Sequence, residues 1–222
     1  GPILTDMPEY YPIYLDIRDK KCVVVGGGDV AYRKAMTLKQ AGAQVVVISP
    51  RVSEDFLKEK GLTVLQQEYE DSCLEGATLV IAATSEEDVN RRVWQEAGRH
   101  GLLVNVVDQP ELCNFIVPSV ISRGGLQISI STGGASPALA RRTREELEGL
   151  FGPEYGDFTR LLSKLRPQVR TSIPDEAERR KVMEQLSSQK MLDLVKTGGA
   201  VEAEKEMLRI ISKGSKGTGD EG

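Results

Sequence analysis

The 222 residues carry 29 Lys or Arg against 33 Asp or Glu, a formal net charge of −4, and 40% of them are hydrophobic. Such a length can bury a proper core, and the mild acidity argues against nucleic acid as a general partner. No apolar run approaches the roughly 18 residues of a membrane helix, the N-terminus lacks a signal-peptide pattern, and Cys22, Cys73 and Cys113 form no C-x-x-C pair, so a reduced, cytoplasmic protein without a structural zinc site is expected.

In chain order, Gly1-Pro2 reads as a protease-cleavage remnant. The first strong element is Cys22-Val23-Val24-Val25, a buried strand that feeds directly into Gly26-Gly27-Gly28-Asp29-Val30-Ala31. Gly26, Gly28 and Ala31 have the G-x-G-x-x-A spacing of a phosphate-binding turn. The first glycine permits the tight turn, the second admits a pyrophosphate, and the small third residue lets helix pack on strand. The helix that follows turns Ala31, Ala35 and Leu38 inward and ends at Ala41 before Gly42. Its free N–H groups and positive dipole end favour phosphate.

Strands are predicted at Gln44–Ile48, 62–66 and 79–83, with Thr84 at the carboxyl end of the last. Ser85 or Asp88 starts the next helix, which aligns Val89, Val93 and Ala97 on one face and stops at Gly101. A fifth strand at 102–107 leaves Asp108 just past its end. Strands alternating with helices make a parallel sheet, and ligands of such sheets bind at the carboxyl ends of strands. Thr84 and Asp108 are therefore expected to face the cofactor crevice. The second strand ends in Ser49-Pro50-Arg51, where NAD dehydrogenases commonly carry an acid for the adenosine ribose. Either Arg51 favours a 2′-phosphate or its backbone carries the ribose contact, and chemistry alone leaves NAD and NADP equally open.

Beyond 107 the pattern changes. Segments 115–122 and 126–131, joined by Arg123-Gly124-Gly125, read as a hairpin. In Ser131-Thr132-Gly133-Gly134-Ala135-Ser136-Pro137, Ser136 suits an N-cap and Pro137 the first helical position. The helix beyond sets Leu139, Thr143, Leu147 and Leu150 along one stripe and Arg141, Arg142 and Arg144 away from it, until Gly152-Pro153 marks a domain boundary. From Asp157 the chain reads as charged helices broken at Pro167, Pro174 and Gly198-Gly199, with a glycine-rich, disordered tail from Lys213. His100, the only histidine, sits at a helix end as a charge partner, and without a His cluster or cysteine pair no resident metal site is expected.

Four separated stretches, Tyr11-Pro12-Ile13-Tyr14-Leu15, Val25 to Ala31 with Arg33-Lys34-Ala35, Asn105-Val106-Val107-Asp108 and Ser131 to Pro137, together resemble the precorrin-2 dehydrogenase family. This family is the dehydrogenase and ferrochelatase module of siroheme synthases, and the likeness covers about residues 11–170. The resemblance implies an α/β fold: a Rossmann-type parallel sheet (1–116), an α+β dimerisation segment (117–151) and a small C-terminal helical domain (152–213), ahead of the tail. It implies oxidation of precorrin-2 to sirohydrochlorin with NAD, insertion of transient Fe2+ in some members, and a homodimer. The cofactor contacts map onto Asp29, Val30, Pro50 and Arg51, beside Gly26, Gly27, Gly28, Thr84 and Asn105.

The family's key acid maps onto Asp108. Dehydrogenation sends a hydride to the nicotinamide and a proton to a base, which a nearby carboxylate provides. The plainer alternative is an Asp that caps the Gln109-Pro110 turn. For the polycarboxylate substrate, residues 117–170 hold eight Lys or Arg against five acids, a net of +3. Ser131, Thr132, Gly133 and Ser136 of the glycine loop, with Arg141 and Arg142, are the expected contacts, against the ordinary reading of those arginines as a solvated helix face. Thr132 stands where some siroheme synthases carry a phosphorylated serine. Two other readings stay open: a dehydrogenase that hands its product to a separate chelatase, and a non-catalytic nucleotide sensor.

Overall fold

The computed structural model describes residues 8–216, so Gly1-Pro2 and the end of the predicted tail lie outside the described residues. Two compact units divide the chain between Val117 and Pro118.

In the first unit, β1 (Lys21–Val25), β2 (Gln44–Ile48), β3 (Leu62–Leu65), β4 (Leu79–Ala82) and β5 (Leu103–Val106) form one sheet in the order β3-β2-β1-β4-β5. Every neighbouring pair is parallel. This is the doubly wound order, in which the chain reverses direction of growth at β1 and β4 and opens a crevice there. Helix α1 (Asp29–Gln40) follows β1, a short α2 (Glu54–Lys58) follows β2, and α3 (Glu87–Arg99) follows β4. Strand side chains alternate between faces, so Cys22 and Val24 pack with Ala31, Ala35 and Leu38 of α1, while Val23 and Val25 pack with Val93 and Ala97 of α3. Each such buried aliphatic side chain contributes about 1.5–3 kcal/mol, which is why an unbroken Val run is stable here.

One local reading is corrected in this unit, and one short helix is added to it. Helix α3 starts at neither Ser85 nor Asp88, because its N-cap is Glu86, whose N–H is bonded to Thr84 Oγ1 at 3.0 Å. Helix α2 is too short for a periodic signal, and it is held by Phe56, buried edge-on against Tyr32 with ring centroids 5.2 Å apart.

The second unit begins with an antiparallel hairpin, β6 (Ser119–Arg123) and β7 (Leu126–Ile130). Its tip, Gly124, has φ 61°, and the Gly125 N–H donates to Thr159 Oγ1 at 3.0 Å. Helix α4 (Pro137–Leu150) is capped as expected, with Ser136 Oγ accepting from the Leu139 N–H at 3.1 Å. Its predicted apolar stripe is only partly covered: Thr143 and Leu147 are half-buried, while Leu139 is 43% and Leu150 69% exposed.

Helices α5 (Glu154–Ser172), α6 (Glu176–Leu186) and α7 (Gln189–Lys216) enclose a core that includes Phe158, Leu165, Val169, Leu186, Met191 and Met207. Pro174 lies between helices, and α7 is kinked at Gly199, whose φ is 78°. Pro167 does not break the chain but lies inside α5. Its local cost of about 3 kcal/mol is outweighed by the burial of Leu161 and Leu165 before it and Val169 after it on one continuous face. The start of the expected tail is also helical, since Gly214 is buried tightly against Val182 and Ile173.

Candidate functional site

A crevice of about 940 Å³ lies over the carboxyl ends of β1, β2 and β4, in the size range of small-molecule sites. The three glycines of the turn have different structural reasons. Gly26 has φ 140°, and a Cβ there would strike the Ala83 carbonyl. At Gly27 a Cβ would collide with the Arg51 carbonyl, because the segment after β2 crosses directly over it. Ser53 N–H donates to the Gly27 carbonyl at 2.8 Å and Ser49 Oγ to the Arg51 carbonyl at 2.7 Å, which pins that segment.

Of these three glycines, only Gly28 has nothing within 4 Å of its missing side chain. It lines the crevice, and as the N-cap of α1 it makes no side-chain cap, so the first N–H groups of the helix face open space. A glycine cradle at a helix N-terminus is a fit for a diphosphate. Gly27→Ala is expected to shift the Ser49 to Ser53 segment and weaken dinucleotide binding at least tenfold while also lowering the melting temperature, as steric strain of this kind typically costs about 1–3 kcal/mol. Calorimetry with thermal unfolding reads both effects.

The crevice brings together most of the predicted cofactor residues: Gly27, Gly28, Asp29, Val30, Pro50, Arg51 and Thr84 all line it. Two residues missed in the sequence join them, and a third, Asn90, supports Thr84. Glu68 and Tyr69, beyond β3, line its edge, and Tyr69 is buried with no hydrogen-bond partner for its hydroxyl among the described residues; burial pushes the phenol up. Asn90, buried on α3, holds Thr84: Asn90 Nδ2 donates to the Thr84 carbonyl at 3.1 Å, and Thr84 Oγ1 donates to Asn90 Oδ1 at 3.0 Å. A polar residue beside the inward positions Val89, Val93 and Ala97 was its only sequence signal.

Asn105 and Asp108 do not line this crevice, which stops at β4, one strand short of β5. Asn105 Nδ2 donates to the Phe115 carbonyl at 3.0 Å. Asp108 is exposed at the carboxyl end of β5 with φ 62°, a left-handed conformation uncommon outside glycine but tolerated by Asp. The turn after it is closed by Gln109 N–H to the Val106 carbonyl at 3.2 Å. Among the described residues the Asp108 carboxylate has no hydrogen-bond partner, so it does not serve as the cap of the Gln109-Pro110 turn. The neighbouring cation is Lys34 of α1. Burial above all, then Arg33, pushes the half-buried Lys34 amine down, and the charge of Asp108 works in the opposite direction.

In the second unit, the hydroxyls of the glycine loop organise the loop itself. Ser131 Oγ accepts from Gly133 N–H at 3.0 Å, and Thr132 Oγ1 accepts from Ser136 N–H at 3.1 Å and donates to the Ser136 carbonyl. Arg141 and Arg142 are not drawn into a pocket. They are 76% and 71% exposed and pair along the helix with Glu145 at 2.9 Å and Glu146 at 3.5 Å, because i,i+4 neighbours meet on a helix surface. His100 pairs with Glu96 at 2.8 Å, and this contact with that from Arg99 holds the Glu96 carboxyl below its usual range against the opposing effect of burial. Among the described residues no group of three His, Cys, Asp or Glu could hold a metal ion, and no helix is long and apolar enough to cross a membrane.

Comparison with known proteins extends the reading to both units. Residues 13–119 match the family described as "Putative NAD(P)-binding", residues 123–150 "Sirohaem biosynthesis protein central" and residues 154–211 "Sirohaem synthase dimerisation region". The dimerisation description thus falls on α5 to α7, beyond the 117–151 stretch to which the resemblance assigned it.

The siroheme synthase of Thioalkalivibrio sulfidiphilus is 37% identical over 93% of this chain and 43% of its own length. That of Methylococcus capsulatus is 41% identical over 90% and 43%. The chain spans less than half the length of these relatives. A solved structure named "SirC, precorrin-2 dehydrogenase" superposes with a TM-score of 0.73 at 25% identity, covering 92% of this chain and 100% of that one. With the Rossmann-type sheet, the glycine cradle and three successive matches in the same order, the chain is similar over nearly all its length to the part of siroheme synthases that carries their NAD(P)-binding, central and dimerisation regions.

Proposed function

We propose that this chain oxidises precorrin-2 to sirohydrochlorin, using NAD, as a homodimer. The observation that carries the reading is the presence, in one Rossmann unit, of an open glycine cradle and of an exposed carboxylate, Asp108, at the end of β5 that has no hydrogen-bond partner among the described residues. Full-length likeness to a precorrin-2 dehydrogenase supports the substrate.

When bound, the nicotinamide supplies the hydride acceptor. Gly26, Gly27, Gly28, Asp29 and Val30 hold the diphosphate end, with Pro50, Arg51 and Thr84 along the crevice. Asp108, exposed at the end of β5, takes the separate proton that the substrate loses when one of its C–H bonds gives up a hydride. The loop of Ser131, Thr132, Gly133 and Ser136 binds a carboxylate arm of the tetrapyrrole, and the surface arginines 141 and 142 draw the anionic substrate in. Dimer formation is supported by the dimerisation-region match and by the uncovered Leu139 and Leu150 of α4.

The test is anaerobic. Precorrin-2 and NAD are mixed with the protein, and NADH and the sirohydrochlorin spectrum are followed before ferrous iron is added as a second substrate. NADH formation with spectral conversion is expected, and iron insertion faster than the enzyme-free control assigns the chelatase step as well. No NADH formation with precorrin-2 and NAD, and none with NADP in its place, would sink the dehydrogenase reading in favour of a nucleotide sensor.

A further inference from the structure

β2 and β3 run parallel with Ile48 opposite Leu65, and Ser49 N–H donates to the Leu65 carbonyl at 3.2 Å. The segments leaving these strands therefore start side by side. The third residue past each register partner is Arg51 on one and Glu68 on the other. Both line the crevice and both are exposed, yet among the described residues neither charged group has a hydrogen-bond or ion-pair partner.

The backbone beneath each is anchored. Arg51 is held over Gly27 by the Ser49 and Ser53 hydrogen bonds. Next to Glu68, Tyr69 is only 5% exposed and lies 5.3 Å below the Arg92 guanidinium, which itself reaches Asp71 at 3.3 Å. One edge of the crevice thus presents a guanidinium and a carboxylate from fixed positions without letting them neutralise each other.

In doubly wound sheets this edge receives the adenosine ribose, and an acid at the end of the second strand accepts hydrogen bonds from its hydroxyls. Here β2 ends without one. We infer that Glu68, delivered from the neighbouring strand β3, is the specificity-determining residue that replaces this acid and selects NAD over NADP, with Arg51 opposing it. A carboxylate accepts hydrogen bonds from a free 2′-hydroxyl and repels a 2′-phosphate, whereas a guanidinium attracts that phosphate. The inference rests on the dinucleotide part of the proposed function and not on the tetrapyrrole part.

The experiment measures Kd for NAD and for NADP by calorimetry on the full chain without any tetrapyrrole. The unaltered chain should prefer NAD. Glu68→Gln should tighten NADP about tenfold and weaken NAD a few-fold, the NADP gain shrinking as salt screens the charges. Arg51→Gln should act in the opposite direction, weakening NADP more than NAD. Both positions are exposed, so thermal unfolding should be unchanged within a few degrees. An NADP-to-NAD ratio in Glu68→Gln within twofold of the unaltered chain overturns the inference, as does an unaltered chain that prefers NADP. Binding of neither dinucleotide overturns it together with the cofactor assignment. A shifted ratio in a protein that fails to oxidise precorrin-2 would leave the inference standing and remove only the substrate.

Discussion

Asp108→Asn is expected to slow precorrin-2-dependent NADH formation roughly 100- to 10,000-fold, the usual contribution of a positioned acid or base, while NAD affinity stays within about twofold. Asparagine is the informative replacement because it keeps the shape of the side chain and tolerates the left-handed backbone at φ 62°. Asp108→Ala should lose turnover too, but Ala tolerates the left-handed backbone less well than Asp or Asn, so a lower melting temperature accompanies the loss. The exposed carboxylate has no hydrogen-bond partner among the described residues, so its removal breaks no internal bond. Stopped-flow or steady-state NADH absorbance checks the rate and calorimetry checks the cofactor. Retained turnover in Asp108→Asn would remove the proton-accepting role. Behaviour wholly indifferent to residue 108 is what a nucleotide sensor predicts.

Gly28→Asp should weaken NAD at least roughly 100-fold, since a carboxylate placed where the diphosphate sits adds like charge in the most favourable part of the site. The fold should survive, and for a specific reason. Gly28 has φ −90°, which any residue adopts, and its side-chain direction is open. It is the N-cap of α1 with no side-chain hydrogen bond, a position at which Asp is among the best residues. Without nucleotide the variant should therefore unfold at the same temperature as the parent or a degree or two above it. Lost binding with preserved or raised stability separates the phosphate role from a packing role. Unchanged NAD binding by calorimetry would exclude the turn as the diphosphate site.

Where the sequence reading erred, tertiary contacts decided against local preference. Pro167 reads as a break, yet α5 runs through it because Leu161, Leu165 and Val169 share one buried face. The missing acid after β2 was a correct observation with an incomplete consequence. Glu68 lies 17 residues beyond Arg51, and only the parallel register of β2 and β3 brings the two to the same edge.

The sequence by itself determined the elements whose causes are local or periodic. The Val run and the G-x-G-x-x-A turn specify β1 and the start of α1, the double glycine specifies the β6–β7 hairpin, and Ser136-Pro137 specifies the start of α4. Each follows from dihedral limits, side-chain period or capping within a few neighbouring residues. Only the tertiary structure decided which charges share the crevice, which polar side chains hold up the loops and which glycine is open to a ligand. Those depend on strand register and on close approach between segments far apart in sequence, such as Gly27 beneath Arg51, and such contacts leave no periodic trace in the chain.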